Sequence, residues 1–415
     1  MAWALRLFKV IRTHPHSSAL VNRNVQMVFL EKLMKPLVGS LIVGIVLVGA
    51  VMVGSAQGPK TRPRHEQDGK RLFEQETFGG NGRTCRTCHG EETGTVSPKD
   101  ALKRFRKDPT DPLFIHDGSD NGEGEGVSRM LTDATVLMTI PLASNVILKA
   151  NPTARTVVLR RGIPTTLNTP ALDPVLMVDG RQPSLEDQAA GAIVDHAQGV
   201  VPDAADLHRI AEFQKTASFF SSPELRRFAR GGPAPGLPQG RTASERRGRR
   251  FFEDVPPNPD DGLTSGLCAH CHSGPLLNQT NEFARQFIPS PAPIPAGQRF
   301  ISVGVSEFNA GQNPPQDFIF NPGTPDEVTL RSPDPGRALV TGVTHDPTLE
   351  HLNAFKISPL RGIRHTAPYF HDNSAKTLAD VAAHYTRFFS VASGGLITLT
   401  PRDERDIVAF MTLLD

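Results

Sequence analysis

Apolar residues fall along this chain in one unbroken run and several shorter periodic groups. The run is 37–53, LVGSLIVGIVLVGAVMV, which carries no charge and no proline. Met34-Lys35 precedes it and Gly54-Ser55-Ala56 follows, the basic, apolar and small-residue order of a secretory signal cleaved after Ala56. Seventeen residues is also the short limit for a helix that spans a bilayer. Residues 1–56 are therefore read as a signal peptide or an N-terminal anchor. Arg6, Lys9, Arg12, Arg23 and Lys32 form an upstream extension, and Met34 is an alternative initiator. Both readings place the folded part, from about Gln57, outside the cytoplasm as an exported, periplasmic protein, membrane-anchored if the leader is uncleaved.

The periodic groups predict helices. Residues 378–389 set Leu378, Val381, Ala382, Tyr385 and Phe389 on one stripe at helical spacing. Thr400-Pro401-Arg402-Asp403 opens another helix with a capping residue, proline at the first position and an early acid, after which Ile407, Phe410, Met411 and Leu414 share a face. Residues 184–194 and 204–220 also read as helical. By contrast 107–128 and 253–337 are rich in Asp, Pro, Gly and Asn and predict mostly loop, with short strands at 156–160 and 299–305. The predicted class is mainly α with long irregular loops.

Composition narrows the chemistry. A net charge of +2 over 415 residues excludes a strongly basic nucleic-acid binder. Four cysteines are too few for a disulfide scaffold of this size. All four lie in Cys85-Arg86-Thr87-Cys88-His89 and Cys268-Ala269-His270-Cys271-His272. C-x-x-C-H is the attachment signature of c-type haem: two thiols add to the two vinyl groups and the adjacent histidine reaches the iron. A zinc site wants its cysteine pairs closer together, and a thioredoxin-like or disulfide reading explains neither trailing histidine.

The surroundings repeat too. Gly69-Lys70-Arg71-Leu72-Phe73 precedes the first motif and Gly248-Arg249-Arg250-Phe251-Phe252 the second. The repetition predicts two cytochrome c-type domains. The first spans 57–230 with an insertion at 91–160; a linker follows at 231–240, and the second domain spans 241–415.

Electron-transfer cytochromes commonly add Met or His as the second iron ligand. The only methionine after Cys268 is Met411, on an apolar helix face. Tyr385 lies mid-stripe on its helix and His384 about 100° round from it. Tyr385 is therefore either a core tyrosine with a satisfied hydroxyl or an iron ligand.

Further residues carry a resemblance. Phe355-Lys356-Ile357-Ser358-Pro359-Leu360-Arg361-Gly362, Thr366-Ala367-Pro368-Tyr369-Phe370-His371-Asp372 and Thr377-Leu378 resemble the C-terminal signature of bacterial dihaem cytochrome c peroxidases. Arg161-Gly162-Ile163-Pro164-Thr165, Asp179-Gly180-Arg181 and Ser184-Leu185-Glu186-Asp187-Gln188-Ala189 resemble its first-domain signature. The resemblance runs from about residue 65 to the end. It implies a peroxide-reactive N-terminal haem held by Cys85, Cys88 and His89, and an electron-accepting C-terminal haem held by Cys268, Cys271 and His272. The peroxidases carry Met at the position of Tyr385. Tyrosine there resembles the methylamine-utilisation branch, which oxidises tryptophan residues of a partner protein, and the likeness makes Tyr385 a ligand of the second iron.

Site roles carry over residue by residue. The family's distal glutamine is Gln188, and its distal glutamate, ten residues on, falls at Gln198. His196 is a candidate for proton transfer to bound peroxide, for ligation of the first iron, or for an ordinary place at a helix end. The tryptophan between the haems falls at Val178, and the single tryptophan, Trp3, lies in the leader. An interdomain Ca²⁺ would use backbone oxygens of Thr366 and Pro368, with Gly162 at the family's asparagine ligand. His116, Met130 and Met138 are candidates to cap the first iron, and His371 for a structural or propionate contact.

The leading expectation is thus an exported dihaem c-type oxidoreductase that reduces hydrogen peroxide at the N-terminal haem. Electrons would come through the C-terminal haem from a small cytochrome c or cupredoxin. The alternatives are a high-valent dihaem enzyme oxidising a partner protein or substrate, and a non-enzymatic dihaem electron carrier. Relatives of this family are often dimers, which makes a homodimer an option.

Overall fold

Among the described residues seven helices open on a Ser, Thr or Asp whose side chain accepts a hydrogen bond from the backbone N–H three residues on. The computed structural model describes residues 64–284, 290–309 and 311–415; the leader or anchor of 1–56 lies outside them. The longer helices are α1 (Arg64–Glu74), α2 (Pro98–Lys107), α3 (Leu185–Asp195), α4 (Ala204–Gln214), α5 (Ala243–Arg249), α6 (Leu378–Ala392) and α7 (Pro401–Met411). Thr400 caps α7 and Pro401 begins it, as its sequence predicts. Among the described residues no helix is long and apolar enough to cross a membrane.

The glycine repeats explain how these helices meet. A Cβ on Gly69 of α1 would stand 2.3 Å from the Arg209 carbonyl oxygen and 2.9 Å from the Phe213 Cβ of α4. A Cβ on Gly248 of α5 would stand 1.9 Å from the Asp406 oxygen and 2.8 Å from the Phe410 Cβ of α7. In both pairs only glycine permits the crossing, and the partner phenylalanine lies four residues beyond the touched carbonyl. Phe73 then packs edge-on to Phe219 at 5.4 Å, and Phe252 against Phe410 at 5.2 Å. The repeated sequence is a repeated helix crossing, one ahead of each C-x-x-C-H turn.

Strands supply the rest. β1 (Thr135–Pro141) pairs antiparallel with β3 (Thr156–Gly162), while β2 (Val146–Leu148), β5 (Gln316–Phe320) and β6 (Val328–Ser332) form a sheet in the order β2-β5-β6. β4 (Phe300–Ile301) pairs with β7 (Phe355–Lys356). The mainly α expectation therefore holds around the attachment turns and needs correcting elsewhere. Residues 91–160 contain a hairpin strand, and the predicted loop 253–337 contains β5 and β6. The strand expected over 299–305 is limited to Phe300–Ile301, because Val305–Phe308 turns helical. The helix expected over 204–220 ends at Gln214 and is followed by a 3₁₀ turn at Ala217–Phe219. Residues 62–415 form one compact unit, and β2 joins strands that follow the second motif.

Arg161 of β3 pins this arrangement. Only 1% exposed, it gives Nη1 to Asp179 at 2.5 Å, and Nε and Nη2 to Asp334 at 2.8 and 2.9 Å. Burial pushes the Asp179 carboxyl up, but Arg161 and Arg181 outweigh it and hold the group below its ordinary value. Arg161→Met leaves the buried Asp334 carboxylate without its arginine and Asp179 with Arg181 alone. It is expected to lower unfolding free energy by about 3–5 kcal/mol in denaturant titration, and a loss below about 1 kcal/mol would contradict the role.

Candidate dihaem site

Residues 85–88 form one helical turn capped at Thr84, and His89 emerges at its end. His89 donates Nδ1–H to the Gly94 carbonyl at 2.8 Å, and His272 donates Nδ1–H to the Leu277 carbonyl at 2.9 Å. The acceptor lies five residues on in both cases, so the repeat extends to the hydrogen bond. This bond to the backbone fixes the tautomer and leaves Nε2 with its lone pair, as in metal-bound histidines. Burial pushes both imidazoles down to about 4, so both are neutral near pH 7. The cysteines point the same way. Burial pushes the Cys85 and Cys271 thiols up to about 12 and raises Cys88 and Cys268 too. Redox-active C-x-x-C pairs have acidic thiols, so these are the wrong kind for a thioredoxin-like site.

Each turn faces its own cavity. The second is about 250 Å³ and is lined by Cys268, Cys271 and His272 together with Tyr385 of α6 and Met411 of α7. Phe388 and Phe389 hold the tyrosine ring at 6.3 and 5.9 Å between centroids. Among the described residues no protein group hydrogen-bonds the Tyr385 hydroxyl, which lies at this cavity. Burial pushes this phenol up, with Cys271 and Cys268 adding to the effect. His384 is turned away and bonds the Val303 carbonyl at 2.9 Å.

The first cavity has two adjoining lobes of about 110 and 70 Å³, both lined by Cys88, His89, Gln188 and His196. Met138 lines the larger lobe. Of the other capping candidates, Met130 is buried in a core cluster and His116 is tied to the Asp195 carbonyl at 3.0 Å. Gln198 needs correcting. α3 ends at Asp195 and Gln198 turns left-handed at φ 53°, which carries it away from the cavity that Gln188 lines. It is exposed, lines neither lobe, and accepts a hydrogen bond from Asn81 Nδ2 at 3.1 Å. Arg181 of the first-domain signature also lines this cavity, as do Arg83 and Asp117, which no motif or periodic pattern marks.

Gly162, Ile163, Met177 and Val178 border both cavities, so Val178 stands in the shared wall where the resemblance puts tryptophan. His371 lines the second cavity and stacks on Phe355 at 3.5 Å and 9°. Two enclosed apolar cavities, each with a cysteine pair and an aimed neutral histidine, fit haem. Calcium fits less well. Thr366 and Pro368 line the second cavity, but a Cβ on Gly162 would stand 2.1 Å from Asn373 Oδ1, so no asparagine fits at 162. Among the described residues no three His, Cys, Asp or Glu side chains gather as an ion site. Calcium takes six to eight oxygens, carboxylates commonly among them. The residues present do not supply that set.

No family model and no curated protein matches this chain. Among solved structures, a MauG-like protein associated with microbial copper homeostasis aligns at 18% identity and TM-score 0.45, covering 86% of this chain and 90% of that one. The diheme peroxidase BthA from Burkholderia thailandensis E264 aligns at 16% and 0.44, covering 85% and 86%. Hydrazine synthase from Kuenenia stuttgartiensis aligns at 14% and 0.33, covering 90% and 99%. With TM-scores below 0.5 these likenesses decide nothing, and the site is read from its own residues.

Tyr385→Phe is expected to alter the absorption and paramagnetic-resonance signature of the second haem and leave that of the first unchanged. An unaltered spectrum would remove Tyr385 as a ligand.

Proposed function

We propose that this chain is an exported dihaem c-type oxidoreductase that reduces hydrogen peroxide at its N-terminal haem, with electrons entering through the C-terminal one. Two cytochrome c-type domains, 57–230 and 241–415, would hold the haems through Cys85, Cys88 and His89 and through Cys268, Cys271 and His272. Bound haem supplies the peroxide-binding iron and the one-electron redox steps.

The observation that carries this reading is the difference between the two cavities. The first holds polar groups able to handle peroxide, Gln188 and His196. The second pairs its cysteines and histidine with an aromatic cluster and Tyr385. The overall reaction, H₂O₂ + 2 e⁻ + 2 H⁺ → 2 H₂O, needs proton delivery where peroxide binds and electron delivery elsewhere. Gln188 carries an amide that can orient one peroxide oxygen, and His196 a ring nitrogen that can take and return a proton. At the second cavity, burial opposes ionisation of Tyr385, so its oxygen becomes an anionic ligand only beside a cation such as iron. A small cytochrome c or cupredoxin is the donor class that suits one-electron delivery.

Tyr385 also favours a second reading, in which electrons flow the other way and a partner protein or substrate is oxidised. An anionic oxygen ligand lowers the potential of the iron it binds.

Steady-state assay separates the two. Peroxide is expected to oxidise two equivalents of reduced donor cytochrome, and His196→Ala to lower turnover by about 10²–10⁴-fold. Absence of peroxide-dependent donor oxidation would contradict the peroxidase reading.

A further inference from the structure

His196 lies at the C-terminal end of α3, where a side chain has little local support. Yet distant segments hold it and the residue before it, beginning with Asn81 Nδ2, which donates to the His196 carbonyl at 3.0 Å. Its Nδ1 bonds the Asp117 carboxylate, 79 residues away in sequence. Arg83, two residues before the first attachment cysteine, gives Nη1 both to the other oxygen of Asp117 and to the His196 carbonyl, the latter at 3.1 Å. His116 donates Nε2–H to the neighbouring Asp195 carbonyl at 3.0 Å. Arg83 is itself fixed, giving Nε to the Pro112 carbonyl at 2.7 Å and Nη2 to those of Ile115 and Leu113 at 2.5 and 3.2 Å. Asp117 and Arg83 are almost wholly buried. The turn carrying Asp117 has no slack, because a Cβ on Gly118 would stand 1.9 Å from the Leu113 oxygen.

We propose that Asp117 is the positioning residue that holds His196 with its Nε2 directed into the first haem cavity as the proton-transfer group. With Nδ1–H given to the carboxylate, Nε2 is the ring nitrogen left with a lone pair, and His196 lines both lobes. The pair supplies what position 198 does not: an acid–base group, contributed by two segments instead of one helix. Resting on the peroxidase reading, Nε2 would take a proton from one peroxide oxygen and return it to the other as the O–O bond breaks. Two electrons from the reduced donor and two protons from solvent would complete H₂O₂ + 2 e⁻ + 2 H⁺ → 2 H₂O, the haem supplying the one-electron redox chemistry. Asp117 stays an anion throughout and supports the charge that the imidazole carries in transit.

Cyanide association with the ferric dihaem protein tests this without peroxide turnover. Hydrogen cyanide must break its C–H bond and surrender a proton as the anion binds, and Nε2 is the acceptor available. His196→Ala and Asp117→Asn are each expected to slow association with the first haem about tenfold or more, and the double variant no further, because the pair acts as a unit. Asp117→Glu keeps the charge beside Arg83 but displaces the carboxylate, so it is expected to slow association while retaining the fold if Asp117→Asn is unstable. Wild-type rates in both Asp117 variants alongside a slow His196→Ala would overturn the positioning role. Faster association in His196→Ala than in wild type would show His196 blocking the iron and overturn the proposal as well. Loss of peroxidase turnover with these cyanide rates intact in wild type would instead fault the peroxidase reading alone.

Discussion

Each attachment histidine gives its Nδ1 proton to a carbonyl five residues further along the chain, and most of the site follows from that bond. It sets the tautomer, directs Nε2 into a cavity, and holds a neutral ring in a place where burial disfavours the imidazolium. Placing such a ring beside two enclosed thiols requires the helix ahead of each turn to be anchored. Gly69 and Gly248 provide the anchor by letting α1 and α5 touch the backbones of α4 and α7. Helix crossing, attachment turn and aimed histidine therefore recur as one unit.

The two copies diverge on the side facing each turn. Around the first, Arg83 ties the attachment loop to the 112–117 segment and to the end of α3, so the cavity has fixed polar groups along its wall. Around the second, aromatic rings surround Tyr385, and Met411 of α7 lines the same space. Val178 and Met177 border both cavities. Any electron transfer between the haems crosses a wall with aliphatic and thioether side chains at those positions, while Phe355 and His371 stack beside it. The buried Arg161, shared between Asp179 and Asp334, keeps that wall in register.

What could be read from the chain divides along physical lines. The C-x-x-C-H turns were legible because covalent attachment needs its residues contiguous. The place of Tyr385 on α6 and the cap of α7 were legible because helical periodicity and capping chemistry are local. The strands were harder. β1 places apolar Leu137 between the inward Val136 and Met138, which blurs its alternation, and β5 sits in a stretch whose composition argues for loop. Both form because distant strands pair with them. Asp117 was invisible for the same reason: its partners, Arg83 and His196, come from two other segments, and nothing in a loop rich in Asp and Gly distinguishes it. Gln198, placed by resemblance alone, falls beyond the end of α3 and outside the cavity.

The central claim is that each C-x-x-C-H turn holds a covalent haem. Intact mass spectrometry of the purified protein, with pyridine haemochrome quantification after acid–acetone extraction, tests it most directly. Two haems per chain are expected, both retained through extraction, and one retained when Cys85 and Cys88 are both replaced by alanine. One haem or none per chain, or haem that leaves with the solvent, would contradict it.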